Sequence, residues 1–169
     1  MNKKEILEAI SGLLEQYEIP NGIGLELEDN NFRVKSDGWK KITVDEKEYL
    51  ENPEADIWEI LDGEARGEQL FTFNAAKRET KKAGGKIPTD EELSKLTKTK
   101  EDIKNLKFSG DRNTDGSFYS QGAYAYLWSA SDDSATSGWY RYLYPGFATV
   151  GRGSSAKAHG FSVRCLKNK

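Results

Sequence analysis

The sequence predicts an α+β fold, and three observations carry the prediction. Apolar residues recur at helical spacing near the N-terminus, and a second helical region with its own start and stop signals follows between residues 74 and 96. After residue 107, Gly, Ser, Tyr and Trp dominate, and short alternating segments follow one another between turns. The 169 residues include 19 Phe, Trp and Tyr, enough to build a core although 31% of the chain is charged. Helices first and short strands later, in one unit, is an α+β pattern.

The elements follow in order. Residues 3–17 place Ile6, Leu7, Ile10, Leu13, Leu14 and Tyr17 at helical spacing, and Pro20 with Asn21-Gly22 ends that helix. Glu5 and Glu8 inside the apolar stretch make it an amphipathic helix rather than a signal peptide, and no apolar run reaches the length of a membrane span. GIGLELE, NFRVKS and GWKKITV, separated by turn residues, predict a small antiparallel sheet. DEKEYLEN reads as a polar helix-like stretch leading to Pro53. Residues 1–50 thus form an N-terminal helix and small β element, and residues 51–169 the main domain.

In the main domain QLFTF predicts a strand, and NAAKRETKKA a helix capped by Asn74 and stopped by Gly84-Gly85. A second helix starts at Thr89, which forms a capping box with Glu92, and shows Leu93 and Leu96 on its apolar face. FSGDRNTDGSFYSQGAYAYLWSAS reads as strand, Asp115-Gly116 turn, strand. WYRYLY, ATV and GFSVRCL are further strands, with Gly/Ser-rich loops between them.

The net charge of −3 conceals an asymmetry. Residues 134–169 hold Arg141, Arg152, Lys157, Arg164, Lys167 and Lys169 and no acidic residue, whereas residues 1–133 hold 19 basic and 28 acidic ones. Six charges over that length make a weak patch for nucleic acid, so no nucleic-acid partner is expected.

Chemistry-bearing motifs are few. DRNTDG (Asp111, Asn113, Asp115, Gly116) matches the first half of a calcium loop, but Gly122 stands where the bidentate Glu belongs, which leaves a polar turn. His159 is the only histidine and falls on a loop; Cys165 is the only cysteine and falls on the inward side of its strand. That excludes an intrachain disulfide and a His/Cys zinc site, and Asp132-Asp133 splay apart on an extended chain. Gly84-Gly85-Lys86 is a helix stop, not a phosphate-binding loop.

The C-terminal third carries a different signal. Strand alternation puts Trp139, Arg141 and Leu143 on one side and Tyr140, Tyr142 and Tyr144 on the other, while Phe161, Val163 and Cys165 share a core face. Tyr, Ser and Gly together compose adaptable binding surfaces, and they also compose ordinary sheet coverings and loops. Composition leaves both readings open.

Three motifs in order narrow the choice. Gly84 to Glu92 (GGKIPTDEE), Trp128 to Ser131 (WSAS) and Gly160 to Cys165 (GFSVRC) resemble the C-type-lectin-fold variable proteins of diversity-generating retroelements and the related formylglycine-generating-enzyme-like group. The resemblance covers roughly residues 52–169 and implies a C-type lectin-like fold, with two helices, short antiparallel strands and long loops. In such proteins adenine-directed copying rewrites chosen codons between fixed ones and never yields Lys, Glu, Gln, Met or Trp. The fixed positions would be Trp139, Arg141, Leu143, Ala148, Thr149, Val150, Arg152, Ala156 and Lys157. The variable, ligand-binding positions would be Tyr140, Tyr142, Tyr144, Pro145, Gly146, Phe147, Gly151, Gly153, Ser154, Ser155 and His159, all within the allowed set. The resemblance implies recognition of a macromolecular ligand, a cell-surface protein or glycan, by a virion or cell-surface component, with no catalytic residue, metal or cofactor. Two rivals remain. One is a structural virion or surface component; the other is a degenerate formylglycine-generating-like oxidase, which would use paired cysteines where this chain has Cys165 alone.

Overall fold

The computed structural model describes residues 23–28, 31–36, 38–62, 65–98, 106–146 and 149–167. The helix expected over residues 3–17 lies outside them. The described chain is a mixed α+β fold with two helices and five small antiparallel sheets.

The first sheet is the hairpin β1 (Ile23–Glu28) and β2 (Asn31–Ser36). The second is a four-stranded meander of β3 (Lys40–Val44), β4 (Lys47–Asn52), β5 (Ile57–Asp62) and β6 (Ala65–Phe71). DEKEYLEN is therefore not helical. Asp45 and Glu46 take positive φ (50° and 64°) in a two-residue hairpin turn, and the remainder is β4 with Tyr49 and Asn52 buried. The expected boundary at residue 50 falls inside β4, so strands from both sides of it share one sheet.

Strands β5 and β6 of the meander are covered on both faces. Ile57 and Phe71 pair and join Phe73, Ala75, Ala76, Trp128 and Phe161 in the main core. Trp58 and Leu70 pair on the other side and cluster with Tyr49 and Ile60. Helix α1 (Phe73–Lys82) follows β6 directly. Its cap is Thr72, whose hydroxyl accepts from the Ala75 N–H; Asn74 lies exposed in the first turn, two residues too late to cap. Ala75 and Ala76 are fully buried, and their small side chains let the helix backbone approach the sheet. Gly84, at φ 72°, turns the chain into β7 (Gly85–Lys86).

Helix α2 (Asp90–Leu96) begins with the expected capping box: Thr89 accepts from the Glu92 N–H and Glu92 from the Thr89 N–H. Leu93 is buried; Leu96, expected beside it, is 45% exposed because the helix ends there. Next come the short hairpin β8 (Asp111–Arg112) and β9 (Phe118–Tyr119) and a three-stranded sheet of β10 (Ala125–Asp132), β11 (Ser137–Leu143) and β12 (Gly151–Ala156). Finally β13 (Leu166–Lys167) pairs with β7. The GRGSS stretch expected as loop is thus a strand, while Thr149 and Val150 of the expected ATV strand lie outside any strand.

Residues 160–162 stitch these layers together. Phe161 exchanges both backbone hydrogen bonds with Phe71 of β6, Gly160 does so with Arg112 of β8, and Ser162 bonds Tyr126 and Trp128 of β10. The three motifs that carry the resemblance meet here and beside α2. Trp128 Nε1 donates to the Phe71 carbonyl, Ala130 N to the Pro88 carbonyl, and the Asp90 N–H to Ser131 Oγ.

Candidate functional site

The two faces of the three-stranded sheet have different chemistry. On one face Arg141 and Arg152 both hold Asp90 of α2, each with Nε at 2.8 Å from a different carboxylate oxygen. Arg152 also lies over the Trp139 ring at 3.4 Å. These side chains bolt helix to sheet. Two more basic residues of this region are spent likewise: Lys157 reaches Asp132 and the Ser134 and Ala135 carbonyls, and Arg164 reaches Glu68. Four of the six basic residues behind the charge asymmetry are therefore paired with acidic residues from the rest of the molecule.

The opposite face is aromatic. Tyr140 stands between Trp128 and Gly153, and Tyr142 between Tyr126 and Gly151, as directly opposed cross-strand partners. A Cβ on Gly153 or Gly151 would overlap the Tyr140 or Tyr142 ring, so each ring lies across its partner's backbone. A ring laid over glycine fills the space an absent side chain leaves, which is how a Gly-rich segment holds as a strand. Tyr126 stacks on Tyr124 (5.5 Å between centroids) and on Phe161 (5.1 Å), Tyr140 lies 4.8 Å from Phe161, and Tyr144 sits 5.4 Å from Tyr124.

Most predicted positions gather on or beside this face. Ser155 lies on it, with Oγ 3.0 Å from His159 Nδ1, and His159 stacks on Phe161 at 5.8 Å. Nδ1 also faces the Ala156 carbonyl at 3.3 Å, so the imidazole is held by its own loop. Pro145 and Gly146 are exposed at the turn after β11. Ser154 is the exception: it faces the other way and donates to Asp133 at 2.7 Å. Phe147 lies outside the described residues.

Sequence reasoning missed four residues of this site. Tyr124 and Tyr126 share the face, and the alternation in AYAYLW was the signal that would have found them. Asp111 and Ser120 arrive from β8 and the turn after β9, brought in by the bridges Gly110↔Ala125 and Arg112↔Gly160. Ser120 and His159 act on the Asp111 carboxyl, and Ser120 on the Tyr126 phenol, each favouring the charged form. Burial pushes the Asp111 carboxyl upward, against the opposing pull of His159 and Ser120. Burial also raises the Tyr126 and Tyr140 phenols, with Asp111 among the charges adding to it. The rest of the DRNTDG turn satisfies itself, since Asp115 accepts from the Ser117 N–H and Asn113 from the Thr114 N–H. Cys165 is half-buried and its thiol is pushed up to about 12, mainly by desolvation.

Among the described residues no group of three or more His, Cys, Asp or Glu side chains could hold a metal ion, and no helix is long and apolar enough to cross a membrane. No curated protein and no solved structure matches the chain. The Fibrobacter succinogenes major domain family does match, over residues 48–167, from β4 to β13. That span is well over half of the sequence, and the chain belongs to this family.

Proposed function

We propose that this protein recognises a macromolecular ligand through the aromatic face of its three-stranded sheet, on a C-type lectin-like scaffold diversified by a retroelement. One observation carries the reading. The split between fixed and variable positions coincides with the split between sheet faces. Tyr140, Tyr142, Gly151, Gly153 and Ser155 share the aromatic face, while Trp139, Arg141, Leu143 and Arg152 share the one bolted to α2, with Ser154 the single strand position that crosses over. Variation on one face can then proceed without touching the contacts that hold the helix.

Tyr, Ser and Gly suit such a surface, because Tyr supplies large amphipathic contact area at low entropic cost. The meeting of the three motifs around Trp128 supports the scaffold half of the reading. The lone Cys165, held protonated at neutral pH, does not supply the thiolate pair an oxidase would need.

The test is to sequence the DNA coding for residues 128–165 together with its downstream flank. A near-copy differing only where the copy has adenine, next to a reverse transcriptase gene, is the expected result. Absence of any such copy would leave a fixed domain and withdraw the diversification.

A further inference from the structure

We propose that the open edge of β12 takes an extended segment of a protein ligand as an added strand. The proposal rests on the aromatic face being the binding surface and narrows its ligand to a polypeptide. It starts from the edges of the two larger sheets. The β6 edge is taken by Phe161, and the β10 edge by Gly110 and Ser162. The β3 edge carries the exposed Lys40 and Lys41, and lysines on an edge discourage pairing. Strand β12 pairs with β11 alone and has neither protection. The direction of its amide groups follows from the register. The Lys157 N–H donates to the Thr136 carbonyl, one step beyond the Ser137↔Ala156 pair, so alternation turns the N–H and C=O of Gly151, Gly153 and Ser155 to β11. Those of Arg152 and Ser154 point outward. The Trp139 carbonyl, opposite Ser154, agrees: it faces β10, where Ser129 Oγ donates to it at 2.8 Å. Among the described residues no backbone hydrogen bond joins Arg152 or Ser154 to a segment on this outer side.

The side chains of β12 leave this edge accessible. The Arg152 guanidinium is drawn to Asp90 and the Trp139 ring, and Ser154 Oγ to Asp133, all away from the aromatic face. Between them Gly153 has no side chain, so another backbone can come close. Cross-strand partners share a face, so ligand residues opposite Gly151 and Gly153 project onto the aromatic side. A Cβ on Gly153 would meet Tyr140 at Cζ and Oη, and one on Gly151 would meet Tyr142 at Cζ. The phenol ends thus lie over β12, where those ligand side chains arrive. In strand addition the main-chain bonds give affinity, and alternate side chains give specificity. A second copy pairing through its own β12 fits poorly, because it brings only Gly151, Gly153 and Ser155 to the tyrosine ends. A glycan has no row of amide donors and acceptors at strand spacing.

The experiment follows amide hydrogen exchange in the full chain, alone and with the linear peptide most enriched from a phage-displayed random library. Alone, the N–H groups of Arg152 and Ser154 are expected to exchange freely, and those of Gly153 and Ser155 to be protected. Saturating peptide should protect Arg152 and Ser154 as well. N-methylating consecutive central residues of the peptide blocks both of its edges and should weaken binding about tenfold or more. Ser154→Pro removes an outward N–H at a position where an edge strand accepts proline, so it should fold and bind the peptide about tenfold or more weakly. Should that variant not fold, the N-methylated peptide still decides. Protection of Arg152 and Ser154 in the free chain, undiminished binding of the N-methylated peptide, or a library that yields no binder would each overturn the proposal. Free-chain protection that grows with protein concentration would give the edge to a second copy instead. Peptide binding lost on Tyr142→Ala but indifferent to Ser154→Pro and to N-methylation would keep the aromatic face and remove the added strand. The reverse pattern would keep the strand and withdraw the aromatic face as the binding surface.

Discussion

Tyr140 shows how one residue can be both surface and frame. It lies half-exposed on the proposed binding face, yet its ring packs against Trp128, Phe161 and the backbone of Gly153. Truncating it opens a gap beside the core, so Tyr140→Ala is expected to destabilise the fold by about 2–3 kcal/mol in urea unfolding. Tyr144→Ala, at the end of the aromatic row, is expected to lose about 1 kcal/mol or less. Gly153→Ala pushes a methyl group into the Tyr140 ring and is expected to cost about 1–3 kcal/mol. In the double variant that clash is gone, so the two losses will not add. Additive losses would mean the ring does not sit on Gly153. Asp111 makes a prediction of the opposite kind. Its folded carboxyl lies above the ordinary value, because burial disfavours the anion. The stability it contributes is therefore full below about pH 4 and is lost as pH rises through the folded value. Asp111→Asn removes that dependence, so the variant should gain on the parent protein between about pH 4 and pH 7. A parent protein whose relative stability instead grows over that window would contradict the direction of the shift.

At the scale of elements, what the sequence reveals depends on how local the determining physics is. Helix α2 was legible because a capping box is closed within four residues, Thr89 to Glu92. Thr89→Ala should cost about 1 kcal/mol, measured by urea unfolding, and Thr89→Ser should restore most of it. Strand β4 was not legible: DEKEYLEN is rich in helix formers, and only pairing with β3 and β5 on either side makes it a strand. Strand β12 was hidden for a related reason. Glycine weakens a strand, and the compensating rings of Tyr140 and Tyr142 come from the neighbouring strand. The candidate site divides along the same line. Tyr140, Tyr142 and Ser155 follow from period-two alternation, whereas Asp111 and Ser120 reach the face only through bridges between segments far apart in sequence.

For the molecule as a whole, the segment Gly160–Ser162 decides whether the layers form one body. It is bonded to β6, β8 and β10 together, so the meander, the short hairpin and the three-stranded sheet all depend on residues near the end of the chain. Phe161 is the centre of that junction. It is 3% exposed, pairs with Phe71 through two backbone hydrogen bonds, and packs its ring against Trp128, Tyr126, Tyr140 and His159. The same side chain therefore supports the core below and the aromatic face above. Phe161→Ala keeps the backbone bonds but removes the ring, and is expected to destabilise the protein by about 3–5 kcal/mol. Its effect should be shared, with the amide signals of Tyr126, Tyr140 and His159 and those of Phe71 shifting or broadening together. Ending the chain after His159 removes the backbone bonds as well, and that variant should lose cooperative unfolding altogether. If Phe161→Ala instead disturbed only the meander and left the aromatic face unchanged, the face would be a self-supporting sheet, and the coupling between scaffold and binding surface argued from Phe161 would fall.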